Sequence, residues 1–589
     1  MTTMQATETP TPPPTEDVAA LLVRFDDLLE AGSLNEALRV ASAACFAAPD
    51  EAEPHYAYGQ AWLALGEAAK SERAFKEAIR LAPRSPDAWV SYGVARYRQG
   101  KVVDAIHAMR QALRNAPEHK AALANLGAFL RLNGDQEGAE KVLREALDKS
   151  PDNVGARLNY VAELLQEEKS EEALTLLREG GAPADDQVAH RHWLLQVISL
   201  LLSLGRAKEA REEMAAFEAL GPVPAAMASL YHVRKASLAL RARAPAVALE
   251  AATQMEAALA TSDRTADPEQ QIVACMQLAQ FWSRKRDKAK AFGFWTEGHR
   301  RMQAFQPFSR EAHLAFVDAN IRTFAEERFT AGTRAENDDP APVFIVGMPR
   351  SGTTLCEQIL GAHAQAFAAG ERDALRTAFR ALAGGIGAPA VERLAWRMEP
   401  GLNRAAARYL EALHALSPGS ARIVDKMPGN TDVLALVGLM LPGAKIIHCV
   451  RDPRDIGLSI FTRRFLGHHA YSHDLGDLGW TIVQSLRIMD HWKRVLPNPI
   501  LTLSMADWVH DFDGTLVRVL AHVDLPHDPG CADFHKSEAP VKTASKWQVR
   551  EPINARGLGR WKGYVAALAP MIAELEAGGA LEGWGAARS

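Results

Sequence analysis

Two rhythms of apolar and polar positions run along this chain, and the change between them divides it. Over residues 18–183 apolar positions recur every three or four residues, the spacing that gives a helix one buried stripe. Punctuation recurs inside that pattern. Pro49, Pro83, Pro117 and Pro151 are spaced by 34 residues, and so are Gly32, Gly66, Gly100 and Gly134. Ala37, Ala105, Ala139 and Ala173 keep the same phase, with Ser71 in the remaining slot. The glycine suits a left-handed cap that ends one helix, the small residue lets two helices approach, and the proline stops the second helix. The pattern predicts about five helix–turn–helix units, with Trp62, Tyr92 and Phe129 on their core faces. Residues 187–327 stay helical but lose the phase. HRHWLLQVISLLLSLGRAKEAREEMAAFEALGP, with Gly205 and Ala210 in the right relation, reads as one degenerate unit, and QFWSRKRDKAKAFGFWTEGHRRM as another. After a loop-forming stretch at 331–342, AGTRAENDDPAP, apolar runs of strand length appear at 343–346, before the DKMPGN loop, and at 445–450. Runs of that kind suit the buried strands of a parallel α/β sheet.

The 34-residue period resembles that of tetratricopeptide (TPR) repeats. The resemblance implies a solenoid whose concave surface binds a protein or peptide partner. A structural lid or an oligomerisation arm is the alternative, and oligomeric state is left open. Composition narrows the rest. With 589 residues, 48% hydrophobic and 24% charged, the chain has ample core for two to four domains. A net charge of −5 gives no polyelectrolyte case for nucleic acid. Five scattered cysteines suggest reduced thiols and a cytoplasmic location. The Pro/Thr-rich start lacks a signal-peptide pattern and reads as a disordered tail over residues 1–17. No apolar run is long enough to span a membrane, and 433–450, the nearest, is broken by Gly438, Pro442, Gly443 and Lys445.

Candidate chemistry concentrates at 343–360, VFIVGMPRSGTTLCEQIL. A strand, a glycine-bounded turn and a helix start cradle a phosphate on backbone N–H groups and the helix dipole. The nucleotide-triphosphatase pattern would place Lys where Thr353 stands; the cation here is Arg350, inside the loop. A second unit, GAKIIHCVRDPRDIGLSIFTRRF, predicts a strand over 445–450 and a helix over 455–465. Arg451 stands at the strand's carboxyl end, and Ser459 and Arg463 share one helix face, so the three can grip a single phosphate.

The PRSGTTL loop resembles the 5′-phosphosulfate loop of sulfotransferases, and most closely the tyrosylprotein branch and its bacterial relatives. The resemblance implies a P-loop-like α/β sulfotransferase domain over 339–589, following TPR repeats at 18–183 and a degenerate helical region with linker at 184–338. It implies 3′-phosphoadenosine-5′-phosphosulfate (PAPS) as co-substrate, no metal, and a hydroxyl acceptor such as a peptide tyrosine. Arg350, Ser351, Gly352, Thr353 and Thr354 would hold the 5′-phosphosulfate, and Arg451, Ser459 and Arg463 the 3′-phosphate. Glu371, in AAGERDALRTAF, would be the general base, with Asp373 as a weaker alternative. Lys426, in IVDKMPGN, would steady the leaving group. In SKWQVREPINARGLGRWKGY, Ser545 would approach the bridging oxygen and Arg560 the 3′-phosphate, while Trp547 and Trp561 either stack on adenine or pack in the core. Arg372 and Arg376 either orient an acidic acceptor or lie on the surface. His448 reads as core, Arg454 and Arg464 as solvated or ion-paired, and His468, His469 and His473 match no metal spacing. A P-loop kinase or hydrolase, or a TPR scaffold with an inactive domain, are the other classes.

Overall fold

The computed structural model describes residues 17–584 apart from 167–168, 184–185, 242–243, 262–267, 398, 466–468 and 537–550. The chain divides into two compact units, one comprising residues 1–287, 304–306 and 466–468, the other 288–303, 307–465 and 469–589.

The first unit is a run of helical hairpins. Val18–Glu30 pairs with Leu34–Ala47, Ala52–Ala64 with Ala68–Leu81, Pro86–Arg98 with Val102–Asn115, Lys120–Leu132 with Gln136–Lys149, and Val154–Gln166 with Ser170–Glu179. Gly32, Gly66, Gly100 and Gly134 all take positive φ, between 72° and 85°, in the turn of their hairpin. The next residue's N–H then reaches back to close the helix end, as Ser33 does on the Leu28 carbonyl at 2.9 Å. The phase-keeping residues Ala37, Ser71, Ala105, Ala139 and Ala173 are fully buried. Each repeat proline stands two residues beyond the last helical residue, as Pro49 does after Ala47. Phe129 is buried, whereas Trp62 and Tyr92 are half-buried, with Lys70 4.2 Å over the Trp62 ring. The degenerate region keeps the device. Gly205 has φ +79° in the turn between Gln187–Ser203 and Ala207–Ala219, and Arg286 takes φ +64° where a glycine would stand after Pro268–Arg284.

The second unit is built on five parallel strands in the order β2-β3-β1-β4-β5: β1 Pro342–Val346, β2 Ala366–Gly370, β3 Arg422–Lys426, β4 Lys445–Val450 and β5 Ile500–Ser504. Period-two alternation splits the buried strands between two cores. Phe344, Val346, Ile423 and Ile446 pack on one face with Leu402, Tyr409 and Trp492. Val343, Ile345, Val424 and Ile447 pack on the other with Leu355, Ile359 and Trp508. The strands expected at 343–346 and 445–450 are present. The helix expected over 455–465 instead runs Pro453–Phe461, because Asp452 caps its start, accepting from the Arg454 N–H at 2.9 Å, and Thr462 ends it. β2 was not expected. Its Ala-rich AFAAG has weak strand propensity, and pairing with β3 holds it in place. No described helix is long and apolar enough to cross a membrane. The start of the chain, expected to be disordered, lies outside the described residues but for Asp17.

The hairpins close around glycines whose hydrogen a side chain could not replace. A Cβ on Gly59 would stand 2.5 Å from Cε1 of the fully buried Phe75 ring. Gly59→Ala is therefore expected to lower stability by ~1–3 kcal/mol, the usual result of overpacking. Chemical denaturation followed by circular dichroism measures it, and an unchanged midpoint would contradict the packing.

Candidate active site at the carboxyl edge of the sheet

Because all five strands are parallel, their carboxyl ends share one edge. The order places β1 between β3 and β4, so the chain leaves β1 toward one side and later returns to the other. In open α/β sheets that switch point is where ligands bind. Four candidate residues follow four carboxyl ends: Arg350 after β1, Glu371 after β2, Lys426 closing β3 and Arg451 after β4.

The loop after β1 is held by its backbone. Gly347 has φ +143°, and a Cβ there would strike the Cys449 carbonyl of β4. Its N–H donates to the Pro428 carbonyl at 3.2 Å, tying the loop to the segment after β3. Arg350 itself takes φ +72°, an uncommon conformation for a residue with a side chain. Gly352, at φ +109°, caps Thr353–Gly361, so the amides that start this helix open toward the loop. Ser351, Thr353 and Thr354 are buried, and among the described residues the Ser351 hydroxyl has no hydrogen-bond partner.

Guanidiniums converge here. Arg350 Nε donates to Ser459 Oγ at 2.9 Å, so the loop touches the helix after β4 directly. Arg451 donates to the Arg350 carbonyl at 3.3 Å and also to the Gly557 carbonyl, while its own Nε is buried with no partner among the described residues. Burial, and then the facing charges of Arg463, Arg451 and Arg560, push the Arg350 guanidinium down to about 9. Arg463 lies just beyond the helix end, its N–H on the Ile460 carbonyl at 3.0 Å. Arg560 is brought in by Asp455, a buried carboxylate that accepts from the Gly559 and Trp561 N–H groups at 2.6 and 3.0 Å and pairs with Arg451 at 3.8 Å. Four cations so gathered in a partly desolvated place favour an anion.

Beside them stands an ion pair. Lys426 is fully buried, and its Nζ lies 2.5 Å from Glu371 Oε1 and 3.7 Å from Glu357 Oε2. Alternation along β3 sends Lys426 to the face covered by Thr353–Gly361, which carries Glu357, and Asp425 to the other face. There Asp425 accepts from the Tyr409 hydroxyl at 2.6 Å. A register shift in β2 sets Gly370 opposite Asp425, which brings the following Glu371 to Lys426. Glu357 accepts from the Gly370 N–H at 2.9 Å, and burial raises its carboxyl to about 7. Glu371 stays partly open, with 40% side-chain exposure.

The other expectations divide. Trp561 is buried beneath the Arg454 guanidinium, 3.9 Å from the ring centroid, and packs in the core. Arg454 pairs with Asp452 at 2.8 Å. Asp373 pairs with Arg380 at 2.8 Å, and Arg376 is tied to Asp432 and the Gly429 carbonyl. His448 is buried in β4. His473 is buried against His299, with ring nitrogens 3.2 Å apart. Ser545 and Trp547 lie outside the described residues, as does His468. Glu357 and Asp455 were not singled out from sequence. The signal was present in each: one carboxylate interrupting an apolar helix, LCEQIL, and one in the first turn of the helix after β4, where it reads as a dipole partner.

Sequence models of known families match both units. The sulfotransferase family matches residues 342–529. Tetratricopeptide repeat models match 22–86, 63–108 and 91–154, and a further one matches 130–198. An uncharacterized protein of Aquifex aeolicus (strain VF5) is 27% identical over 400 residues, covering 66% of this chain and 51% of that protein, so the chain spans about half the length of this relative. A tetratricopeptide repeat protein from Parabacteroides merdae aligns at 15% identity and TM-score 0.33, over 41% of this chain and 92% of that one. TTC0263, a TPR protein of Thermus thermophilus, aligns at 21% and 0.29, over 31% of this chain and 100% of that one. The chain thus carries TPR repeats followed by a sulfotransferase family domain.

Glu357 gives the site a pH signature. Its folded pKa, about 7, lies above the ordinary 4.5. Its protonated form therefore supports folding below about pH 4.5, and that support is lost as pH rises through 7. Relative to wild type, Glu357→Gln is expected to gain on the order of 2 kcal/mol of stability between pH 5 and pH 8. Thermal melts across that range test it, and a difference that does not move with pH would contradict it.

Proposed function

We propose that this protein transfers the sulfuryl group of PAPS to an acceptor hydroxyl, and that its repeats recruit the acceptor or a partner protein. The observation that carries the reading is the convergence of Arg350, Arg451, Arg463 and Arg560 on the loop after β1, beside the Lys426–Glu371 pair. The family match over 342–529 supports it. The residues fit such a donor: among the described residues the Ser351 hydroxyl and Arg451 Nε have no hydrogen-bond partner, and an anionic ligand would supply one. When bound, the donor supplies an activated sulfuryl group on a phosphate leaving group.

Arg350, Ser351, Thr353, Thr354 and the Gly352-capped amides hold the 5′-phosphosulfate. Arg451, Ser459, Arg463 and Arg560 hold the 3′-phosphate. The 2.9 Å bond between Arg350 and Ser459 makes the two subsites contiguous. Lys426 places its ammonium against the bridging oxygen, where negative charge grows as the sulfur–oxygen bond breaks. In turning toward that oxygen it releases Glu371, and Glu357 stays behind it on the helix Thr353–Gly361. Glu371, now unpaired, takes the proton of the acceptor hydroxyl, whose oxygen forms the new bond to sulfur. The acceptor is a peptide tyrosine, a glycan or a metabolite hydroxyl. The repeats favour a macromolecular one, because such arrays offer extended binding surfaces.

Calorimetry with adenosine 3′,5′-bisphosphate and with adenosine 5′-phosphate tests the nucleotide site. Arg451→Ala is expected to weaken the first by tenfold or more, since a hydrogen bond to a charged group contributes ~1.5–3 kcal/mol, and barely to affect the second. Equal losses would remove Arg451 from the 3′-phosphate. A radiolabelled sulfate-transfer screen over acceptor classes tests the reaction, and ATP hydrolysis abolished by Arg350→Ala would replace it with nucleotide hydrolysis.

With an acceptor identified, Glu371→Gln is expected to leave nucleotide affinity nearly unchanged while kcat falls by roughly 10²–10⁴. Near-normal kcat in this variant would remove Glu371 from the role of base.

A further inference from the structure

We propose a second binding site, for a carboxylate-bearing ligand, in the repeat unit around Arg234. A cavity of 320 Å³ opens among the helices Gln187–Ser203, Ala225–Arg241, Pro245–Thr261 and Pro268–Arg284. That volume is within the range of small-molecule sites, ~300–1,000 Å³. Its residues are all from the repeat unit, and none belongs to the sulfotransferase family domain, so this site does not depend on the function proposed above.

Arg234 lines the cavity with 9% of its surface exposed. Its hydrogen-bond acceptors are two neutral oxygens at long range, Gln277 Oε1 at 3.3 Å and the Leu195 carbonyl at 3.5 Å. It has no ion pair among the described residues, in contrast to the equally buried Arg131 of the same unit, which is gripped by both oxygens of Glu269 at 3.0 and 2.8 Å. Burial, with no opposing charge, lowers the Arg234 guanidinium to about 10. The cavity wall holds two arginines, Arg234 and the exposed Arg284, and no acidic residue. Ser199, Ser237, Gln277 and Gln280 add hydroxyl and amide groups.

A buried charge without a partner is costly, and a guanidinium binds a planar carboxylate through two parallel hydrogen bonds. One buried positive charge is balanced by one negative charge, which a carboxylate carries. A phosphate dianion would leave charge in excess. The neighbouring amides and hydroxyls suit a ligand with further hydrogen-bonding groups beside its carboxylate. The carboxylate can belong to a free small acid or to the end of a peptide.

Calorimetry on the full chain distinguishes these sources. The small-acid probes are N-acetylglycine and benzoate. The peptide probe is acetyl-Gly-Ser-Gly-Leu with a free carboxyl terminus, alongside its carboxyl-terminal amide, and inorganic phosphate is the competing anion. At least one carboxylate probe is expected to bind with millimolar or tighter affinity, and the peptide amide is not. Arg234→Met is expected to weaken that binding at least tenfold with an unchanged far-ultraviolet spectrum. Arg234→Lys, which keeps the charge but loses the fork, is the second variant should the first fail to fold, with the same expectation. Binding of the small acids alone assigns a free acid, and binding of the peptide acid alone a chain terminus. Absence of binding by every carboxylate probe, tighter binding of phosphate, or affinity unchanged in the folded variants would overturn the site.

Discussion

Parallel pairing about β1 is the constraint on which the second unit depends. With β3 on one side and β4 on the other, all the strands point the same way, and their carboxyl ends form one edge. Arg350, Glu371, Lys426 and Arg451 are far apart in sequence, yet each follows or closes a strand and arrives at that edge. The loop after β1 can lie against β4 only because residue 347 has no side chain to meet the Cys449 carbonyl. Period-two alternation then decides what Lys426 meets. It faces the helix that carries Glu357, while its neighbour Asp425 faces Tyr409.

Electrostatics gives that edge its character. Folding draws guanidiniums together in a partly buried place with Asp455 as their acidic neighbour, and Arg350 registers the strain as a lowered pKa. Holding like charges together in a partly desolvated place costs stability. The adjacent lysine has the opposite balance, with one cation between two carboxylates. The two neighbourhoods differ in their charge balance, one rich in guanidiniums and the other an ion pair flanked by a second carboxylate.

Much of this was legible from sequence because the signals were local or periodic. The repeat unit announces itself through glycine and proline spacing, since each hairpin needs the same left-handed turn and the same stop. The helical pair at 187–219 was legible for the same reason, whereas the segment expected as a further unit is divided, its helix Lys288–Gln303 belonging to the second compact unit. The strand, loop and helix start at β1 were legible because glycines at fixed offsets mark the turn between an apolar run and a helical pattern. β2 was not, because its alanines carry little preference and only the neighbouring strand makes them extended. The end of the helix after β4 was missed because no glycine or proline marks it.

Sequence by itself determined the hairpin periodicity, the central strands and the loop between the first strand and its helix, since these follow from spacing along one segment. Tertiary structure alone decided which of those residues meet. It set Lys426 between Glu357 and Glu371, joined Arg350 to Ser459, anchored Arg560 through Asp455, and buried Trp561 under Arg454. It also left Arg234 inside the repeat unit without a counter-ion among the described residues. The physical reason is common to these cases. Burial and charge pairing depend on what distant segments bring to a point, and no local pattern carries that information.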